Sequence, residues 1–187
     1  CAHETVLVIS DKPGVKGLDK AVKYGVIGIC VPLPSKELFS GSGEQRQSHE
    51  ESVAALLDEY DVELVVCSGY MRILTNHFLS SRLGRVVNIH PSPWGDGGAL
   101  FPGAHANRDL LAAGSNTAGA SVHFVSLGVD DGPLIISETT NVKPGENEEE
   151  LGARIRTEIE HKLYPKVIDA ISEGRLISDN GRFEIIE

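Results

Sequence analysis

Short apolar runs alternate with stretches of helical periodicity along most of this chain, and that alternation restricts the fold more than any other feature. Thr5–Ser10 (TVLVIS) predicts a buried strand. Leu18, Ala21 and Val22 then give a helical stripe, with Gly25 as its stop. "VIGICVPL" predicts a second strand, and "SKELFSGSGEQRQ" a polar loop. Ser48 and Glu51 have the spacing of a capping box ahead of a helix that buries Val53, Leu56, Leu57 and Tyr60. "ELVVCSGYMRIL" predicts a strand running into a loop, Phe78–Leu83 a short helix, and "RVVNI" a strand.

The same rhythm continues to the end of the chain. "HANRDLLAAG" predicts a helix ended by Gly114, followed by strands in "GASVHFVS" and "PLIISET". Asn147 and Glu150 cap a long helix carrying Leu151, Ile155, Ile159, Leu163 and Val167. Pro165 is expected to kink it and Gly174 to end it. "RLISDNGRFEII" places two strand-like runs around Asn-Gly, a hairpin signal. Helices interleaved with strands in this way predict an α/β three-layer fold with a mostly parallel sheet and C-terminal antiparallel strands. With 187 residues the chain is expected to form a single domain over residues 1–187.

Charge and cysteine content narrow the function. A formal net charge of −10 disfavours nucleic acid as a partner, because phosphate binding needs clustered Lys and Arg. No apolar run reaches the ~18 residues that span a bilayer, so no membrane partner is expected. The 3 cysteines form no CxxC pair, and no HExxH occurs, so no metal is implied. Isolated cysteines and a polar N-terminal stretch without an apolar signal-peptide core suit a reducing, cytoplasmic setting.

The chemistry is concentrated where strands end. In a strand, residues two apart share a face, so Asn88 and His90 in "RVVNIHPS" point the same way, beside a Pro/Gly-rich loop. Ligands of open α/β sheets bind beyond strand ends. "SGYMRIL" (Ser68–Leu74), "NIHPS" (Asn88–Ser92) and "LGVDDGP" (Leu127–Pro133) all fall at such positions. Together they offer an amide, an imidazole and a carboxylate, the last from Asp130 or Asp131. That set suits acyl transfer: Asn88 and a protonated His90 can hold an oxyanion, and a neighbouring carboxylate favours the imidazolium and orients its ring. No G-x-S-x-G nucleophile elbow is present, which favours direct attack by a substrate amine. Each motif alone has an ordinary structural explanation: a loop cap, a satisfied buried histidine, an Asp-Gly turn.

"VVCSGYMRILTNHFL", "GRVVNIHPS", "FPGAHANRDLLAAG", "GASVHFVSLGVDDGPLI" and "IEHKLYPKVIDAISEGRL" together resemble the folate-dependent formyltransferase family from about Val6 onward. The family's Asn, His and Asp fall on Asn88, His90 and Asp130; its Asp-x-Gly-Pro motif leaves Asp131 in the variable slot. The resemblance implies 10-formyltetrahydrofolate as formyl donor and the small molecule glycinamide ribonucleotide as acceptor. It implies folate contacts from Tyr70, Met71, Arg72, Ile73 and Leu74, with main-chain contacts at Ile73 and Leu74 and near Val129. His105 and Glu160 fall where the family faces the ribonucleotide, and Glu160 would hold its amine. His123 is expected to be buried near the site in a supporting role.

Two departures from the family pattern stand out. "VLVISDKPGVKGLDKAVKYGV" resembles the family's second strand and helix, so the resemblance supplies no counterpart of the first strand and the Gly-Ser-Asn loop that cradles the substrate phosphate. The sheet edge left open would be covered in a homodimer. The second departure is "PWGDGGALF", a longer loop than the family's, which carries Trp94 beside His90. It is expected either to shape the acceptor pocket, to close over it, or to have no role. A deformylase, a formyltransferase with another amine acceptor, and a silent folate-binding subunit are the alternatives.

Overall fold

The structure is a computed structural model and describes residues 3–179 and 181–186. Its strands are β1 (Leu7–Ser10), β2 (Ile27–Cys30), β3 (Val65–Cys67), β4 (Val86–His90), β5 (Trp94–Gly95), β6 (Gly98–Ala99), β7 (Thr117–Phe124), β8 (Leu134–Asn141), β9 (Leu176–Asp179) and β10 (Arg182–Ile185). Its helices are α1 (Lys16–Lys23), α2 (Ser42–Glu59), α3 (Asn76–Ser80), α4 (Ala106–Ala112), α5 (Glu148–Ile155) and α6 (His161–Ser172). A π turn, Arg156–Glu160, joins α5 to α6. Strands and helices alternate as the sequence predicts, and the fold is of the α/β class with a mixed sheet.

Contacts divide the chain into two compact units. One comprises His3–Val65 and Leu74–Leu83. In it β1 and β2 pair in parallel, Leu7 opposite Ile27 and Ser10 opposite Cys30, with α1 as the crossover. Gly25 follows α1 at φ +71°, the left-handed conformation expected of a helix stop. β1 is half-buried, not fully buried.

The start of α2 corrects the sequence expectation. Residues 42–47, expected in a polar loop, are helical, so Ser48 and Glu51 lie inside α2 and form no capping box. Ser48 O accepts from Ser52 Oγ at 3.0 Å, and Glu51 Oε1 from Gln47 Nε2 at 2.9 Å. The helix extends upstream because its buried face is partly polar. Gln45, His49 and Glu50 are buried beside Leu57. Gln45 Nε2 donates to Pro34 O at 2.6 Å. Glu50 accepts from Thr75 N at 2.8 Å and from Thr75 Oγ1. Thr75 in turn caps α3, which therefore begins at Asn76 and not at Phe78, and ends at Ser80, leaving Leu83 exposed.

The other unit comprises Val66–Ile73 and the chain from Gly84 onward. Its sheet has the order β3-β4-β7-β8. The pairs β4/β7 and β7/β8 are antiparallel. β9 and β10 form the expected antiparallel hairpin, with Gly181 at φ +79° in its turn. Asn180, the first residue of the Asn-Gly signal, lies outside the described residues.

The core of this unit holds Leu110, Val122, Leu151, Ile155 and Val167 at 0% exposure. Burying each such side chain contributes about 1.5–3 kcal/mol. The Asn147–Glu150 capping box is formed, with Asn147 Oδ1 accepting from Glu150 N at 3.0 Å. Leu151, Ile155, Ile159, Leu163 and Val167 are all buried. A strict spacing of four drifts about 40° per step around an α-helix. The wider π turn absorbs part of that drift and keeps these side chains on one face. It also relocates the irregularity expected at Pro165, since α6 runs through the proline and the break in helical register falls upstream. Tyr164 Oη lies 2.8 Å from Cys67 O and 3.0 Å from Val87 O, tying α6 to β3 and β4. Burial pushes the Cys67 thiol up to about 12.

Candidate active site

The sheet register brings the site together. Asn88 on β4 stands opposite His123 on β7, and His90 opposite Ser121. Directly opposed residues share a face, so two polar side chains from each strand meet. Asn88 Nδ2 is 3.3 Å from His123 Nε2. The loop after β7 then carries Asp130 onto this face. Asp130 Oδ2 lies 3.4 Å from His90 Nδ1, and Oδ1 lies 3.7 Å from His123 Nε2. Asn88 Nδ2 also reaches Asp130 Oδ1 at 3.5 Å.

Backbone groups complete the arrangement. His90 Nε2 donates to Phe101 O at 2.8 Å, and Gly103 N donates to Asp130 Oδ2 at 2.8 Å. His123 Nδ1 faces Phe124 O at 2.9 Å; a carbonyl only accepts, so the geometry assigns a proton to Nδ1. Nε2 of the same ring faces both the Asn88 amide and Asp130 Oδ1. Both His90 nitrogens face oxygens that only accept, which the doubly protonated ring satisfies.

His90 and His123 are buried, at 6% and 2% exposure. Burial alone would raise the Asp130 carboxyl. The hydrogen bond from His123, the Gly103 N–H and the charges of His90 and His123 outweigh it and hold Asp130 below the usual carboxylate range. Asp130 therefore stays ionised between the two imidazoles. It also adopts φ +52°, in the left-handed region. Gly132 makes the loop possible: a Cβ there would lie 1.9 Å from Phe124 O. Asp131 points elsewhere and accepts from Ser126 Oγ.

Of the residues expected from the sequence, Asn88, His90 and Asp130 thus come together, and His123 contacts both Asn88 and Asp130. Sequence reasoning missed the backbone groups of Phe101 and Gly103, for which the Pro-Gly turn in "FPGAH" was the available signal. His105 is exposed at the start of α4. Glu160 is half-buried on the π turn. Burial raises its carboxyl, against the lowering influence of Arg156 and His161. Among the described residues no hydrogen bond or ion pair joins His105 or Glu160 to the cluster. Tyr70 and Arg72 are half-buried, and Leu74 is buried at 8% exposure. Met71, Ile73 and Val129 expose 73%, 48% and 46% of their surface, with Leu127 at 59%. No helix among the described residues is long and apolar enough to cross a membrane.

A family model described as formyl transferase matches residues 2–168, and the chain belongs to that family. The phosphoribosylglycinamide formyltransferase of Escherichia coli (strain K12) is 34% identical over 169 residues, covering 90% of this chain and 74% of that protein. A trifunctional purine biosynthetic protein adenosine-3 of Gallus gallus is 36% identical over 91% of this chain, which spans only 16% of that protein's length. Glycinamide ribonucleotide transformylase 1 from Symbiobacterium toebii superposes with a TM-score of 0.85 at 35% identity, over 97% of this chain and 80% of that one. A formyltetrahydrofolate deformylase from Burkholderia mallei, at 23% identity and a TM-score of 0.78, shares the fold.

Proposed function

We propose that this chain transfers the formyl group of 10-formyltetrahydrofolate to the amine of glycinamide ribonucleotide. The observation that carries the proposal is Asp130 held between His90 and His123 beside Asn88, in a chain of the formyl transferase family similar to phosphoribosylglycinamide formyltransferases.

The substrate amine attacks the formyl carbon, forming the new C–N bond. Negative charge develops on the formyl oxygen, which draws on the Asn88 amide and the His90 imidazolium. The contacts of Asn88 Nδ2, at 3.3 and 3.5 Å, are long enough to be exchanged for stronger ones to an oxyanion. Asp130 stabilises the imidazolium and takes part in passing the amine proton, through water, to the departing nitrogen of tetrahydrofolate as its C–N bond breaks. Tyr70, Met71, Arg72, Ile73, Leu74 and Val129 are assigned to the folate. His105 and Glu160 are assigned to the ribonucleotide, with Glu160 holding its amine. The chain then acts as one domain on small molecules.

Formylated ribonucleotide measured by mass spectrometry tests this. The wild type should form it, and Asn88→Ala, His90→Ala and Asp130→Asn should each slow its formation. Product formed as fast by Asp130→Asn as by the wild type would overturn the proposal.

A further inference from the structure

Between Ser92 and Gly103 the chain turns back on itself. Trp94–Gly95 and Gly98–Ala99 pair as a short antiparallel ribbon, β5/β6, closed by Asp96 and Gly97. Its base is fixed to the sheet. Leu100 N donates to Pro93 O at 2.9 Å and Phe101 N to Ser92 Oγ at 3.0 Å. Ser121 Oγ donates to Ser92 O at 2.7 Å, and both serines are fully buried.

From this base the ribbon reaches the cluster. The Trp94 ring lies against the His123 ring, centroids 4.9 Å apart and planes at 36°. Ala99 N donates to Asp130 O at 2.8 Å. Gly98 packs so tightly that a Cβ would stand 2.9 Å from Asp130 O, and its φ of +146° also favours glycine. The ribbon therefore meets the backbone of Asp130 where that residue adopts its left-handed conformation. Phe101 O and Gly103 N, on the return from the ribbon, bind His90 and the Asp130 carboxylate.

We propose that the Trp94–Ala99 ribbon is a positioning element for formyl transfer: Trp94 fixes the His123 ring, and Gly98 with Ala99 fixes the Asp130 backbone. Trp94 and Gly98 act through His123 and Asp130 and are positioning residues. The inference rests on the proposed formyl-transfer reading for its kinetic test.

The test compares the 187-residue wild type with Trp94→Ala, Trp94→Phe and Gly98→Val, each checked for folding by circular dichroism. Misplacing reacting groups is costly, so Trp94→Ala and Gly98→Val should lower kcat about 10- to 100-fold with KM for either substrate changed less than about twofold, and Trp94→Phe should recover kcat to within about threefold. A folded Trp94→Ala with wild-type kcat overturns the proposal, as does a Trp94→Phe no better than the alanine variant. Imidazole NMR signals give a readout independent of turnover. Trp94→Ala should broaden or split those of His123, and Trp94→Phe should leave them single. A wild type that transfers no formyl group counts against the functional reading alone. Unchanged His123 signals in Trp94→Ala count against the ribbon.

Discussion

Asp130 Oδ2 stands 3.4 Å from His90 Nδ1 while Asp130 itself sits at φ +52°. The carboxylate is thus delivered to the imidazole by a backbone conformation that non-glycine residues seldom adopt. The Asp130→Asn variant keeps the shape but removes the charge that favours the imidazolium and replaces one accepting oxygen with a donating amide nitrogen. It should lower kcat by about 10²–10⁴-fold, the range for positioned acid–base groups. Steady-state kinetics at pH 7.5 (roughly the working range of such groups) checks this.

Loss of one oxyanion donor is a separate effect. Asn88→Ala should lower kcat by about 10²–10³-fold while leaving KM for the folate donor nearly unchanged. A fall in affinity with kcat intact would place Asn88 in ground-state binding instead.

The Arg154–Glu146 pair gives a pH-dependent stability. Arg154 Nε and Nη2 donate to Glu146 at 2.6 and 2.7 Å. Those hydrogen bonds, against the opposing pull of burial, lower the Glu146 carboxyl from 4.5 to about 2. A carboxyl lowered on folding contributes stability above its unfolded value and loses it as pH falls through the folded one. The contribution is therefore complete above about pH 4.5 and fades towards pH 2. Glu146→Gln should cost about 1–3 kcal/mol at neutral pH and show a flatter stability profile below pH 4.5, measured by urea denaturation.

Gly132 has no space for a side chain, since a Cβ would lie 1.9 Å from the carbonyl of Phe124. Gly132→Ala must displace the turn that carries Asp130. It should destabilise by about 1–3 kcal/mol and reduce turnover together, read by thermal denaturation and kinetics on the same sample.

Cys67 should resist alkylation in the native protein, because burial keeps its thiol protonated to about 12. Iodoacetamide treatment followed by peptide mass mapping should show Cys67 unmodified until denaturant is added.

The sequence made legible whatever depends on local chemistry. The Asn147–Glu150 capping box, the glycine stops at Gly25 and Gly114, and the hairpin ahead of Arg182 all form as read. Ser48 and Glu51 have the same local pattern but lie mid-helix, because Glu50 and Gln45 find partners at Thr75 and Pro34, remote in sequence. Asn88, His90 and Asp130 were legible through strand alternation and family resemblance. The closeness of His123 to Asn88 was not, because it depends on the β4/β7 register. Nor were Phe101 O and Gly103 N: the Pro-Gly turn in "FPGAH" signals a turn there, but not that its backbone groups reach His90 and Asp130.

The most direct measurement is tetrahydrofolate release from 10-formyltetrahydrofolate by the wild-type chain, with and without glycinamide ribonucleotide. The account predicts release that requires the ribonucleotide and matches formylated product one for one. Release at the same rate without the ribonucleotide, or none with it, would contradict the account.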